Sequence, residues 1–183
     1  MILGLDISTS ITGATLLDDN GKVVFNEAWD TRKFKDFFDK AEFIKEKIKH
    51  VHDNYGHNHS NVHNVSIRHL FIEQSLQSFR SGFSSAKTLS TLSRFNGVVS
   101  WVCFNYFGIK PEYVAATTAR KLCGIKVPRG NKAKAVVLQH VIDTEPSFIF
   151  EKTKHGNPKP DTFDRADSLI IAKAGFALTT ASK

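Results

Sequence analysis

Four carboxylates in this chain stand where an isolated charge is costly to bury. Asp6 lies inside the apolar run MILGLDI, and Glu73 closes a second apolar run, SIRHLFIE. Asp164 and Asp167 are three residues apart in FDRADSLIIA, a spacing that puts both on one face near the start of a helix. A fold that gathers these three segments needs cations to compensate the charge, and hard oxygen donors suit Mg²⁺ and two-metal phosphoryl chemistry. Taken singly, each acid also has a simpler place. Asp6 fits a strand-end turn, and Asp164 and Asp167 fit the favourable electrostatics of a helix N-terminus.

The elements around these acids follow from periodicity. Ile2 to Ile7, Gly13 to Leu17 and Lys22 to Ala28 are short β-prone segments, the last two separated by the turn signal at Asp18 to Gly21. Phe34, Phe37, Phe38, Ala41, Ile44 and Ile48 recur at helical steps and predict an amphipathic helix from Arg32 to about Tyr55. Strands are expected at Ser66 to Glu73 and Tyr113 to Ala116, and helices at Phe83 to Phe107, Lys132 to Ile142 and Asp164 to Leu178. Lys152 to Pro160 reads as a mobile loop. With 183 residues, 41% of them hydrophobic, the chain can bury one sizeable core, so a single domain over 1–183 is expected. Strands first, then strand and helix in alternation, indicate an α/β fold with a mixed five-stranded sheet.

Charge is unevenly distributed. From Gln74 to Ile142 the bases are Arg80, Lys87, Arg94, Lys110, Arg120, Lys121, Lys126, Arg129, Lys132 and Lys134, against the single acid Glu112. That surplus of nine exceeds the net +7 of the whole chain and suits a phosphate backbone, although a solvated basic surface has the same composition. Cys103 and Cys123 are too few for a disulfide framework or a cysteine zinc cluster. No secretory leader or membrane-spanning run is apparent, so a cytoplasmic, reducing setting is expected. Six histidines, His50, His52, His57, His59, His63 and His69, crowd one segment. Without fixed ligand spacing they read as a solvated surface loop rather than a zinc site.

Three pieces, in order, resemble the RuvC family of Holliday-junction resolvases within the RNase H-like superfamily. ILGLDISTSITGATLLD resembles its first hairpin with the leading Asp6, LFIEQS its strand ending in Glu73, and DRADSLIIA its closing acidic helix. TARKLCGIKVPRGNKAKAVV resembles the family's basic segment, with Lys132 at the place of a catalytic-site lysine and Lys121 near a second. The resemblance implies an RNase H-like sheet with helices on both faces and a homodimeric nuclease that cuts branched, four-way DNA junctions. It implies Asp6, Glu73, Asp164 and Asp167 as ligands of two Mg²⁺ ions, with Mn²⁺ able to substitute, and 5′-phosphate products. Phe79, Arg80, Phe83, Lys87, Arg120, Lys121, Lys126, Arg129 and Lys134 are the expected DNA contacts. Leu76 stands where the family often has a base-stacking Phe, which makes Phe79 or Phe83 the candidate for a displaced wedge. Asp161, three residues before Asp164, is a candidate substitute ligand.

Three other functions fit parts of this pattern. LGLDISTSITGATLLDDNGKVV also resembles the first phosphate-binding hairpin of sugar kinases and actin-like ATPases, but no second Gly-rich phosphate or adenosine motif follows. A junction-binding module without catalysis would not need acids at all four matched positions. An RNase H-like nuclease acting on RNA or flaps shares every feature named above.

Overall fold

The computed structural model describes residues 1–56, 66–74 and 86–181. Among them the chain runs β1 (Ile2–Asp6), β2 (Ile11–Leu17), β3 (Val23–Asp30), α1 (Phe37–Tyr55), β4 (His69–Glu73), α2 (Ala86–Phe107), β5 (Glu112–Val114), α3 (Ala116–Leu122), α4 (Ala133–Thr144) and α5 (Pro160–Ala181). The strands form one mixed sheet in the order β3-β2-β1-β4-β5. β1, β2 and β3 make an antiparallel meander, while β4 and β5 run parallel to β1.

Strand alternation decides what each face carries. Leu3 and Leu5 of β1, Ala14 and Leu16 of β2, and Leu70 and Ile72 of β4 join one buried cluster with Ile44 and Ile48 of α1 and Phe95 and Val99 of α2. Ile2, Leu17 and Phe71 point the other way, into a cluster with Leu169, Ile170 and Ile171 of α5 and Val137 and Leu138 of α4. With a period of two, Asp6 shares the face of Ile2, and Glu73 shares the face of Phe71. Both carboxylates therefore stand on the α5 side.

α5 lies unusually close to that face because glycine occupies the contact positions. A Cβ on Gly13 would overlap the Asp164 carbonyl, and one on Gly4 would come within 2.6 Å of the Ala172 backbone nitrogen. Polar clasps hold the same contact. The Thr15 and Ser168 hydroxyls share a 2.9 Å hydrogen bond, and Asn26 Nδ2 donates to the Arg165 carbonyl at 2.9 Å.

Several boundaries differ from the sequence reading for local reasons. α1 begins at Phe37 rather than Arg32, because Asp36 caps it by accepting from the Phe38 and Asp39 amides. β2 and β3 pair as far as Ile11 and Asp30, beyond the expected Gly13 and Ala28. β5 ends at Val114, and after the extended Ala115 comes α3, a short helix whose single buried residue, Ala119, leaves little periodic signal. α5 starts at Pro160, whose fixed φ and missing amide suit a first helical position. Lys152 to Pro160 is not a loose loop but a closed turn with a Lys152–Pro158 bridge. Both cysteines are free, and no helix among the described residues is long and apolar enough to cross a membrane.

The seating of α5 can be tested with two glycines. Gly13→Ala is expected to lose about 1–3 kcal/mol in urea unfolding, because α5 must shift. Gly97→Ala, on the exposed side of α2 with open space around it, is expected to gain about 0.5–1 kcal/mol. A neutral Gly13→Ala would contradict the close seating.

Candidate functional site: a carboxylate cleft

Each acid is placed by a fixed piece of backbone. Asp6 ends β1 opposite Gly13, and a set of hydrogen bonds holds the turn after it. Ser8 Oγ donates to the Ile11 carbonyl at 2.7 Å, Thr31 Oγ1 to the Thr9 carbonyl at 2.9 Å, and Lys40 Nζ to the same carbonyl at 2.6 Å. Glu73 ends β4, where Asn96 Nδ2 from α2 donates to its carbonyl at 3.3 Å and the Gln74 amide donates to Val114 of β5 at 2.9 Å. Asp164 and Asp167 occupy successive turns of α5. The four acids line one cleft of about 190 Å³ with Ile7, Ser8, Gln74, Leu92 and Lys134.

The cleft is crowded with like charge. Burial, then the charges of Glu73, Asp167 and Asp164, hold the Asp6 carboxyl well above the usual carboxylate range, against the pull of Lys134. Glu73 is pushed up to about 7 by burial and by Asp167, with Lys134 and Arg120 opposing. Burial also raises Asp164 and Asp167, and Lys134 draws both back. The Lys134 ammonium reaches in from solvent to lie 3.3 Å from Asp164 Oδ1 and 3.4 Å from Asp167 Oδ2. Burial disfavours its charge, but Asp167, Asp164 and Asp6 outweigh that and raise its pKa. Arg120, at the end of α3, completes a second recess of about 130 Å³ with Glu73, Lys134 and Asp167.

Two cations against four acids leave the cleft short of positive charge. Among the described residues, no three His, Cys, Asp or Glu side chains are gathered tightly enough to grip an ion as they stand. The cation between Asp164 and Asp167 is the Lys134 ammonium, which stands in for one. All-oxygen donors, raised pKa values and a resident cation fit a hard divalent ion such as Mg²⁺ or Mn²⁺.

The other residues singled out from the sequence divide into three groups. Lys134 and Arg120, read there as DNA contacts, lie at the carboxylates. Lys132 instead caps α4 and lines a wide groove of about 730 Å³ with Lys126, Gly130 and His140. Lys121 and Lys126 line an adjoining recess on α3, and Arg129 is exposed in the loop between them and α4. Lys87 is exposed on the first turn of α2, and Asp161 lies a turn before Asp164, outside the residues lining the cleft. Phe79, Arg80, Phe83 and Leu76 fall outside the described residues, as do His57, His59 and His63. The remaining histidines are dispersed: His52 packs on Tyr106 and Phe107, His69 stacks on Phe71, and His50 contacts Asn54. Ser8, Gln74 and Leu92 line the cleft without having been singled out; the first two adjoin the motif acids, while Leu92 has no local signal.

Neither a scan against protein-family models nor a search of curated proteins finds a match. Solved structures do match. Thermus thermophilus RuvC in complex with Holliday junction substrate superposes with a TM-score of 0.67 at 14% identity, covering 98% of this chain and 94% of that one. A second Thermus thermophilus RuvC structure gives 0.61 at 17% identity, with 99% and 96% covered. The fold is RuvC-like. This agrees with the RNase H-like α/β architecture expected from the sequence, with helices on both faces of a five-stranded mixed sheet.

The charge imbalance of this cleft has a thermodynamic signature. The folded state keeps a proton on Glu73 between its ordinary pKa of 4.5 and about 7, where the unfolded chain has lost it. This group's contribution to stability is therefore full below about pH 4.5 and lost as pH rises through about 7. In EDTA, Glu73→Gln is expected to raise Tm at pH 8 by about 6–12 °C, equivalent to roughly 3 kcal/mol, and to leave it unchanged at pH 4.5. Differential scanning calorimetry at the two pH values decides it, and an equal effect at both would contradict the shift.

Proposed function

We propose that this protein is a divalent-metal-dependent, structure-selective DNA endonuclease that resolves four-way junctions as a homodimer. The observation that carries this reading is the meeting of Asp6, Glu73, Asp164 and Asp167 in one cleft of a RuvC-like fold. The four carboxylates would hold two Mg²⁺ ions. When bound in such a site, Mg²⁺ supplies activation of an attacking water and stabilisation of the leaving 3′ oxygen, which leaves a 5′ phosphate.

The chain's own groups do the rest. The tied turn after Asp6 and the paired ends of β1 and β4 fix the carboxylates before substrate arrives, so little reorganisation is needed. Lys134 and Arg120 offset negative charge developing on the scissile phosphate. The geometry favours Lys134 over Lys132 for that role, because Lys134 is the lysine at the acids. Lys132, Lys121, Lys126 and Arg129 line or flank the open grooves beside the cleft and suit backbone contacts. Trp101 and Phe104, exposed on α2 at 65% and 41%, support that helix as the face where two copies meet. A cleft of about 190 Å³ is smaller than the 300–1,000 Å³ typical of organic-ligand sites, which counts against an ATPase.

The test is cleavage of a panel of four-way junctions, flaps, linear duplexes and RNA–DNA hybrids with Mg²⁺. Paired cuts at symmetric positions in the four-way junction are expected, with Asp6→Asn and Asp167→Asn abolishing cleavage while retaining junction affinity. Lys134→Ala is expected to lower turnover at saturating DNA by at least tenfold, and Lys132→Ala to weaken binding with turnover little changed. Cleavage of hybrids or flaps in preference to junctions would move the substrate within the same site chemistry. No cleavage of any substrate would overturn the reading.

A further inference from the structure

The connection between α4 and α5 carries an internally bonded hairpin. The two helices run in the same direction: Lys134 meets Asp164 and Asp167 at one end, and Glu145 pairs with Lys173 at 2.5 Å toward the other. The chain leaving α4 must therefore return the length of that helix, about 16 Å for the eleven residues from Lys134 to Glu145. Pro146 and Ser147 make the turn out of α4, closed by the Phe148 amide on the Glu145 carbonyl at 2.9 Å, and the chain then starts its return. Phe148 and Phe150 anchor it on the core, with the Arg165 guanidinium over the Phe148 ring.

The stretch that follows, Glu151 to Lys159, doubles back and adds no net span. It is closed by the Lys152–Pro158 bridge, by the Thr153 amide on the Asn157 carbonyl at 2.7 Å, and by the Lys159 amide on the Glu151 carbonyl at 3.1 Å. Gly156, at φ +81°, makes the reversal. Lys159 also pairs with Glu151 across the base. Lys152 in the stem and Lys154 and His155 at the tip are exposed, and neither lysine has a carboxylate partner among the described residues. The base of this hairpin joins α5 five residues before Asp164, about 8 Å along the helix from the carboxylate cleft.

We infer that the Glu151–Lys159 hairpin is a DNA contact, gripping the phosphate backbone of a duplex arm beside the cleft through Lys152 and Lys154. The inference rests on the function proposed above. It adds a contact site on the approach to α5, apart from the basic segment that precedes α4. A short, internally bonded turn holds its lysines out at little conformational cost, and neutralising phosphates with them releases counterions.

Counterion release gives the test. Affinity of the full-length protein for a fluorescent four-way junction is measured in Ca²⁺ or EDTA, to prevent cleavage, at several salt concentrations between 50 and 200 mM. Lys152→Ala/Lys154→Ala is expected to make the slope of log K against log salt shallower by about 1.8, about 0.9 for each lost phosphate contact. Lys22→Ala, on the β2–β3 turn at the opposite end of the sheet, serves as control and should keep the parental slope. A double variant with the parental slope and affinity would overturn the hairpin contact and leave the proposed function standing. A parent that binds no branched DNA at all would overturn both.

Discussion

The close seating of α5 on the β1–β2 pair is the contact on which the rest of the site depends. Asp164 and Asp167 reach Asp6 only because Gly4 and Gly13 leave no side chain between helix and sheet, and because Thr15, Ser168 and Asn26 fasten the two together. Apolar packing of Leu169, Ile170 and Ile171 offsets what bringing four carboxylates together costs. The fold spends stability here to hold a concentration of negative charge it cannot neutralise alone. Lys134 and Arg120 relieve it in part, and the remaining deficit is what would draw cations into the cleft.

That deficit also orders the surroundings. The acids stay inside the cleft, while the lysines and arginines of α3, α4 and the loop between them border it and the open grooves beside it. A polyanion approaching this face meets positive charge first and the carboxylates only at the centre. This arrangement suits a backbone phosphate brought to hard cations better than a nucleotide enclosed in a pocket.

Much of this was legible in the sequence, and for identifiable reasons. The apolar runs MILGLDI and HLFIE mark Asp6 and Glu73 as strand acids, and the spacing of Asp164 and Asp167 gives their shared side of α5, whereas the common face of Asp6 and Glu73 depends on strand register that no local pattern shows. Periodicity locates the five strands and the four longer helices. Less visible was anything decided by a cap or by a single turn. Asp36 moves the start of α1, and α3 is too short and too exposed to show a pattern. Lys132 lies just before α4 and Lys134 inside it, and the ion pairs of Lys134 with Asp164 and Asp167 show which of the two points to the acids. The Lys152–Pro158 bridge joins backbone groups across a polar stretch that composition alone reads as loose.

Crystals soaked in Mn²⁺, with anomalous difference maps recorded, test most directly whether the four carboxylates form a cation site. The account predicts anomalous density among Asp6, Glu73, Asp164 and Asp167, with Lys134 displaced from Asp164 and Asp167. Absence of density there at millimolar Mn²⁺, with the Lys134 ion pairs intact, would contradict it.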